Sequence, residues 1–582
     1  MTDMNREWTS LVATLICGTV VTVTFLKWLG HQKVQKKIQR ARARRDAGLS
    51  QAQQTVQEFK EKNPGLDLSP IVDLPLAKLT KQIRAGSLQP DAVLHAYMDK
   101  ALEVNRKLNC STDVLMESVK QLSEIESHRD GLLYGVPISI KDNIAYKGHD
   151  CTCGVLCKLD DPAVMDSVVV TVLKRQGAIP FIKTNVPQGL LNYECSNPIY
   201  GMTVNPCNLQ KTCGGSSGGE AALIGGGGSI LGLGTDIGGS IRIPASFCGI
   251  CGFKPTSNRI SLRGANSCVK GIKSVTSSIG PMARDVESLA LCMRALLCED
   301  MFTLDPTVPP LPFNQQLYEN TDRLRIGYYE NDGYLQPSPS MARAFQETKK
   351  LLEQAGHTLV PFKPPEMYTT MHEFIVKGAV ADGAVTLLSH LKGGPVDPSV
   401  QSQIMPYSFP RFVKKILCII LKPIYPRMAA VLDVLNGVNS VAELWKQHHA
   451  IENYIHQVIA EWKELELDVL LCPMLGPAYN FSYCGKLTSA LSYTILYNLL
   501  NFPVGTVPVT TVTAEDEAKL SHYRGNFGDI WDKLFVKAVR GGVGLPVAVQ
   551  CVSLPWQDEL CLRFMREVEN VCAYNKSSNK TC

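Results

Sequence analysis

Two serines sit where nucleophilic chemistry could be built. Both lie in the Gly-rich stretch GGSSGGEAALIGGGGSILGLGTDIGGSIRIPA, from Gly214 to Ala245. A serine hydroxyl is a poor nucleophile until a base takes its proton, so the backbone around each serine matters as much as the serine itself. Ser216 meets the GxSxG pattern of a nucleophile elbow literally, in Gly214-Gly215-Ser216-Ser217-Gly218. The elbow needs a hydrophobic strand before it, whereas Asn205 to Cys213 is polar and contains Pro206. Ser240 follows the apolar run Ile230–Leu233 and then Thr235-Asp236-Ile237-Gly238-Gly239. Paired glycines free the backbone for unusual dihedrals, and N–H groups in such a turn can converge on one point, as an oxyanion hole requires. Asp236 and Arg242 flank this turn; they either pair to hold it rigid or form an ordinary surface pair.

Other chemistries fit less well. A P-loop needs Gly-Lys-Ser/Thr, which is absent, and a dinucleotide fingerprint fails because Gly232 and Gly234 are followed by Gly238, one residue late. The eleven histidines form no cluster, and His448 and His449 read as solvent-facing helix residues. The 20 cysteines show no zinc spacing. Cys151, Cys153, Cys248 and Cys251 lie in apolar or Gly-rich surroundings, which suits buried or free thiols in a reducing compartment. No metal or cofactor is expected.

The elements that must position these residues follow an α/β rhythm. Val136–Ile140 reads as a buried strand, Ser167–Gln176 as a helix stopped by Gly177, and Ile179–Ile182 as a second strand. Helical patterns recur at Val286–Leu297, Met341–Gln354, Val441–Leu465 and Asp558–Val571, with a core strand at Val469–Leu471. The chain has 582 residues, 45% of them hydrophobic and 19% charged, ample for a large core. Its net charge of +5 comes from one short segment, and the body lacks a basic stripe, so no nucleic-acid partner is expected. Pro306–Pro312 suits a rigid surface loop or an SH3-type ligand.

The N-terminus reads as a membrane anchor. Trp8–Leu26 carries no charge, and a helix of that length spans roughly 28 Å, about one bilayer core. A cleaved signal peptide is the competitor, but no basic n-region or small-x-small site frames the stretch. Lys33, Lys36, Lys37, Arg40, Arg42, Arg44 and Arg45 follow without an intervening acid, which puts this flank and the body in the cytosol. That run either touches anionic lipid heads or forms a solvated helix face. The sequons at Asn109, Asn480, Asn575 and Asn579 are then expected to stay unmodified. The organisation is an anchor over residues 1–30, a basic helix or linker over 31–73, and a catalytic domain over 74–575. Within that domain, residues 409–435 are apolar but basic, with Phe409, Phe412, Val413, Ile416 and Ile420 on one helical face. They suit either an interfacial membrane helix or a core helix pair.

The stretch Gly214–Ala245, with G-G-S-S-G-G at its start and D-I-G-G-S-I-R-I-P at its end, resembles the amidase signature family. The resemblance extends from about Leu74 to Val571, and GPMARDVESLALCMRALLCED (Gly280–Asp300) and HYRGNFGDIWDK (His522–Lys533) resemble that family's fatty acid amide hydrolase branch. It implies an α/β amidase signature fold with a large twisted mixed β-sheet surrounded by helices, and it brings in Lys141, in Gly135-Val-Pro-Ile-Ser-Ile-Lys141-Asp-Asn, as the base. The implied scheme is a Ser-Ser-Lys triad: Ser240 attacks, Ser216 relays the proton, and neutral Lys141 receives it. The N–H groups of Ile237, Gly238, Gly239 and Ser240 would hold the oxyanion. Burial, the serines and Arg242 would lower the Lys141 pKa. The substrates implied are lipid amides such as N-acylethanolamines and primary fatty amides, reached from the bilayer of the endoplasmic reticulum or another endomembrane by a single-pass homodimer. Residues 409–435 would form a cap at the substrate entrance. The chain departs from that branch at Val380 and Val431, where aromatics line the acyl channel, and at Leu190, where methionine is typical; Trp531 is retained. Competing readings are an amidotransferase subunit acting on aminoacyl-tRNA, a lipid-binding pseudoenzyme, and a histidine-dependent α/β-hydrolase using Ser216.

Overall fold

The computed structural model describes residues 2–572, so Asn575, Asn579 and the end of the catalytic domain at 575 lie outside the described residues. Among the described residues, thirteen strands appear in chain order: β1 Ser111–Val114, β2 Pro137–Lys141, β3 Ile179–Thr184, β4 Ser196–Asn197, β5 Gly201–Met202, β6 Leu231–Asp236, β7 Cys251–Lys254, β8 Ser278–Ala283, β9 Arg325–Tyr328, β10 Thr358–Pro361, β11 Val469–Pro473, β12 Val504–Thr511 and β13 Pro546–Val552. Eleven of them form one mixed sheet, ordered β1-β3-β2-β6-β8-β7-β12-β13-β11-β9-β10, with β4 and β5 as a separate ladder. β2 runs parallel to β3 and β6, while β6, β8 and β7 pair antiparallel. Strands β2, β3, β6, β7, β8, β11 and β13 are buried throughout. This is why Val136–Ile140, Ile179–Ile182 and Val469–Leu471 read as short apolar runs without polar alternation.

The expected helices are present, within a residue or two of their expected bounds: Val168–Arg175, Val286–Leu296, Pro339–Gln354, Val441–Glu464 and Asp558–Val571. Ser167 caps the first through its hydroxyl and Asp285 the second through its carboxylate, each satisfying an N–H that the helix leaves unpaired.

The N-terminus is one helix, Thr2–Lys62. Among the described residues it is the helix long and apolar enough to cross a membrane by length and composition, and Trp8, Leu15, Ile16, Val20, Val21, Phe25 and Leu26 are exposed on it. Its basic run is neither wholly lipid-facing nor wholly solvated. Arg40 and Arg44 pair with Asp160 at 2.9 and 3.0 Å, Arg44 also with Asp150 at 2.6 Å, and Arg42 donates to the Ile199 carbonyl. Ile38 and Ala41 are buried among Leu156, Leu159, Ile199 and Tyr200. The helix is therefore docked onto the body by an apolar stripe flanked by arginines, with Lys33 and Lys36 left exposed.

Residues 409–435 form two helices, Arg411–Leu421 and Pro426–Val434, packed on each other. Phe412, Ile416, Ile419, Ile420 and Ile424 are exposed, whereas Phe409 and Val413 are half-buried. A core helix pair would bury these residues; the second helix does bury Ala429, Leu432 and Val434, whereas the first leaves its apolar row exposed. The Pro306–Pro312 segment is a loop, and Arg259 donates to the carbonyls of Leu311 and Pro312. Asn109 and Asn480 spend their side-chain amides on backbone carbonyls, Asn109 on Tyr200 and Met202 and Asn480 on Lys537 and Arg540. Cys151, Cys153, Cys248 and Cys251 are buried free thiols.

Candidate active site

Lys141 ends β2. The parallel register sets Ser139 beside Gly232 and Ile140 beside Leu233 on β6, so the Lys141 side chain arrives next to Thr235. It is fully buried. Its Nζ lies 2.8 Å from Thr235 Oγ1, 3.2 Å from the Thr235 carbonyl oxygen and 2.7 Å from Ser216 Oγ. A neutral amine has two N–H groups and one lone pair. In that neutral form, N–H groups given to the two Thr235 oxygens would leave the lone pair for the Ser216 hydroxyl. Burial pushes the Lys141 pKa down to about 7, and the Asp236 carboxylate opposes that shift. Arg242, credited from the sequence with lowering it, is committed elsewhere.

Ser216 is buried in the loop that precedes the helix Gly218–Gly225, with a cis peptide bond between Gly215 and Ser216. Ser240 sits in the turn after β6. The two segments touch: the Ser217 N–H donates to the Ser240 carbonyl at 3.0 Å.

The turn itself is built around Asp236 and Arg242, which are both fully buried, so they are no surface pair. Arg242 Nε and Nη2 meet the two Asp236 oxygens at 3.0 and 2.9 Å. The guanidinium also donates to the Thr494 carbonyl, Gln550 Oε1 and Asn498 Oδ1, so its charge is fully met by fixed acceptors. Burial alone would raise the Asp236 pKa; Arg242 and the Ile241 N–H override it and hold the carboxyl well below its usual range. Asp236 also receives the N–H of Gly239 at 2.8 Å and of Ile241 at 3.0 Å. This corrects one expectation: the Gly239 N–H is turned inward to Asp236 and not toward an oxyanion. Among the described residues, the N–H groups of Ile237, Gly238 and Ser240 make no hydrogen bond, and these residues are partly open to solvent. Gly239 has φ +119° and lies against Thr494 and Ile243, a conformation and a space that admit only glycine.

The remaining expected residues separate into two groups. Leu190, with φ 60°, and Val380 pack in one apolar cluster with Leu387 and Leu391. Val431 and Trp531 belong to the main core. Trp531 is the second residue of the helix Ile530–Val539, and the Arg427 guanidinium lies over its ring at 5.4 Å. Sequence reasoning missed Thr235, although it adjoins Asp236 in the same motif, and Glu220, which is fully buried in the Gly218–Gly225 helix. It also missed Arg427, read only as an interruption of an apolar run. Arg427 is buried and bound to Asp529 and Asp532.

The chain matches the Amidase family over residues 92–562. The chain belongs to the amidase family. As an amidase it is a hydrolase of carbon–nitrogen amide bonds. This amidase is 53% identical over 559 residues to fatty-acid amide hydrolase 1 of Sus scrofa, covering 96% of each chain. It is 52% identical to the vitamin D3 hydroxylase-associated protein of Gallus gallus over 76% of this chain and 95% of that one. It is 37% identical to fatty acid amide hydrolase 1 of Caenorhabditis elegans, covering 86% and 88%. Among solved structures, a fatty acid amide hydrolase superposes with a TM-score of 0.77 over 93% of this amidase and 95% of that chain at 24% identity, a likeness of fold.

Proposed function

We propose that this amidase cleaves fatty acid amides, N-acylethanolamines and primary fatty amides among them, to fatty acid and amine through an acyl-enzyme on Ser240. The observation that carries the reading is the buried contact of 2.7 Å between Lys141 Nζ and Ser216 Oγ, beside a turn whose N–H groups of Ile237, Gly238 and Ser240 are unspent. Ser240 Oγ attacks the amide carbonyl carbon and gives its proton to Ser216, while the Ser216 proton passes to Lys141. The three free N–H groups receive the oxyanion; each such donor is worth about 2.7–4 kcal/mol. Collapse breaks the C–N bond as Ser216 protonates the leaving nitrogen and recovers a proton from Lys141. Water then adds to the acyl-enzyme by the same relay in reverse, releasing the acid and free Ser240.

The substrate class is supported by the likeness to the Sus scrofa and Caenorhabditis elegans hydrolases and by two apolar surfaces. One is the anchor stretch of the helix Thr2–Lys62. The other is the exposed row Phe412, Ile416, Ile419, Ile420 and Ile424, with Lys415 and Lys422 beside it, suited to lie in a bilayer interface. The enzyme would then sit on an intracellular membrane as a homodimer, the body cytosolic, and take its substrate from the lipid phase. Leu190, Val380, Val431 and Trp531 would line the acyl path. Turnover of acyl amides varying in chain length and head group tests the substrate class. Long acyl chains are expected to give the highest kcat/KM; a preference for acetyl or aryl amides would refute it.

A further inference from the structure

In the turn that carries Ser240, three successive backbone carbonyls each have a donor. The Gly239 carbonyl accepts the Ile243 N–H at 2.8 Å, and the Ser240 carbonyl accepts the Ser217 N–H at 3.0 Å. The Gly238 carbonyl accepts from a side chain instead, the Thr494 hydroxyl at 2.7 Å. A carbonyl oxygen only accepts, so the proton in that contact is the threonine's. The same hydroxyl lies 3.1 Å from the Leu491 carbonyl, and the shorter contact takes the larger share of its one proton. Thr494 is fully buried and is the third residue of the helix Ser492–Leu499.

The Gly238 carbonyl and the Gly239 N–H belong to one peptide unit and point in opposite directions. The N–H end goes to Asp236 Oδ1 at 2.8 Å, so side chains hold this unit at both ends. Both holds trace to the same helix. Asn498, four residues after Thr494 and on the same helix face, donates to Asp236 Oδ1 at 3.0 Å and accepts from Arg242 Nη2 at 2.7 Å. The hold matters because glycines stand on both sides of the unit. With no Cβ, Gly238 and Gly239 leave it free to swivel. The peptide unit before it carries the Gly238 N–H and the unit after it carries the Ser240 N–H, so the plane between them sets how these two donors are aimed.

We infer that Thr494 is a positioning residue for the oxyanion hole: its hydroxyl fixes the plane of the Gly238–Gly239 peptide, so that the Gly238 and Ser240 N–H groups are aimed before substrate arrives. The inference rests on the reading of Ser240 as the nucleophile and of these N–H groups as the hole. Thr494 acts through the backbone and not on the substrate. Donors of this kind help because they are already in place when charge develops on the carbonyl oxygen. Loosening them therefore weakens the transition state more than the bound substrate, which lowers kcat and leaves KM nearly unchanged.

Two substitutions in the full chain separate the hydroxyl from the shape of the side chain. Thr494→Val keeps the shape and removes the proton; Thr494→Ser keeps the proton and loses a methyl group. On a long-chain acyl amide, Thr494→Val is expected to lower kcat about 10-fold with KM little changed, less than the about 10²- to 10³-fold loss from deleting an oxyanion donor. Thr494→Ser is expected to keep most of the wild-type kcat. A long-chain trifluoromethyl ketone gives a second readout. Ser240 Oγ adds to its carbonyl carbon, the serine proton passes to the Ser216–Lys141 relay, and the ketone oxygen becomes an oxyanion. Thr494→Val is expected to bind this ketone about 10-fold more weakly and to bind the matching secondary alcohol, which has no carbonyl to attack, as wild type does. Thr494→Ala carries the same comparison if Thr494→Val folds poorly. Equal weakening of ketone and alcohol, an unchanged kcat without the hydroxyl, or a Thr494→Ser variant as impaired as Thr494→Val would overturn the inference. Fluorophosphonate labelling that persists in Ser240→Ala would overturn the nucleophile reading and this inference with it; labelling lost there, with ketone affinity unchanged in Thr494→Val, would remove the role of Thr494 alone.

Discussion

Lys141 can act as a base only while neutral, and with a pKa of about 7 the neutral form is lost as pH falls through that value. The account therefore expects kcat/KM for an amide to rise with pH through about 7 and then level off, as a pH–rate profile would show. Flat activity well below that pH would mean another base. Lys141→Ala is expected to lower amidase activity about 10²- to 10⁴-fold and esterase activity less, because an amine leaves only once protonated whereas an alcohol leaves more readily. Paired kcat/KM values on matched amide and ester substrates check this, and equal losses would count against the proton relay. In the proposed relay Thr235 has a part as well, since its hydroxyl and carbonyl accept from Lys141 Nζ and would turn the lone pair of the neutral amine to Ser216.

Two buried arginines fix elements and not single atoms. Arg242 ties the turn that carries Ser240 to Thr494, Asn498 and Gln550. Arg427 ties the helix Pro426–Val434 to Asp529 and Asp532, which flank Trp531 at the start of the helix Ile530–Val539. Removing one partner of a buried pair leaves the other charge unmet and costs about 3–5 kcal/mol. Arg427→Ala is expected to lower the denaturation midpoint and, by loosening Trp531, to raise KM for long acyl amides more than for short ones. A denaturation curve with steady-state kinetics checks both, and an equal change in KM for all chain lengths would separate Arg427 from the acyl path. These partnerships were not legible in the sequence. Helix and strand positions follow from local periodicity and caps, so the five helices and the strands β2, β3 and β11 that were expected were readable to within a residue or two. Arg427 and Asp529 are brought together only by tertiary structure, and nothing local in either segment names the other. The same holds for Thr235, which meets Lys141 because β2 runs parallel to β6; fully buried strands of four to seven residues carry no alternation from which their order could be read.

At the scale of the whole molecule, the motif from Gly214 to Ala245 and its link to Lys141 were legible from the resemblance, while the inward turn of the Gly239 N–H was not. The N-terminal helix shows a similar division. Its apolar stretch was plain in composition, but its basic run is docked on Asp150 and Asp160 through contacts that composition does not encode. Removing residues 1–30 spares this docking, so catalysis is expected to survive and vesicle co-sedimentation to weaken without vanishing, because the exposed cap row remains. Complete release from vesicles would discredit the cap as a membrane contact. The central claim is that Ser240, and not the elbow-like Ser216, is the nucleophile. Labelling the full chain with a fluorophosphonate and mapping the modified peptide tests it most directly. The account expects the label on Ser240 and its loss in Ser240→Ala; label on Ser216 with Ser240 unmodified would contradict it.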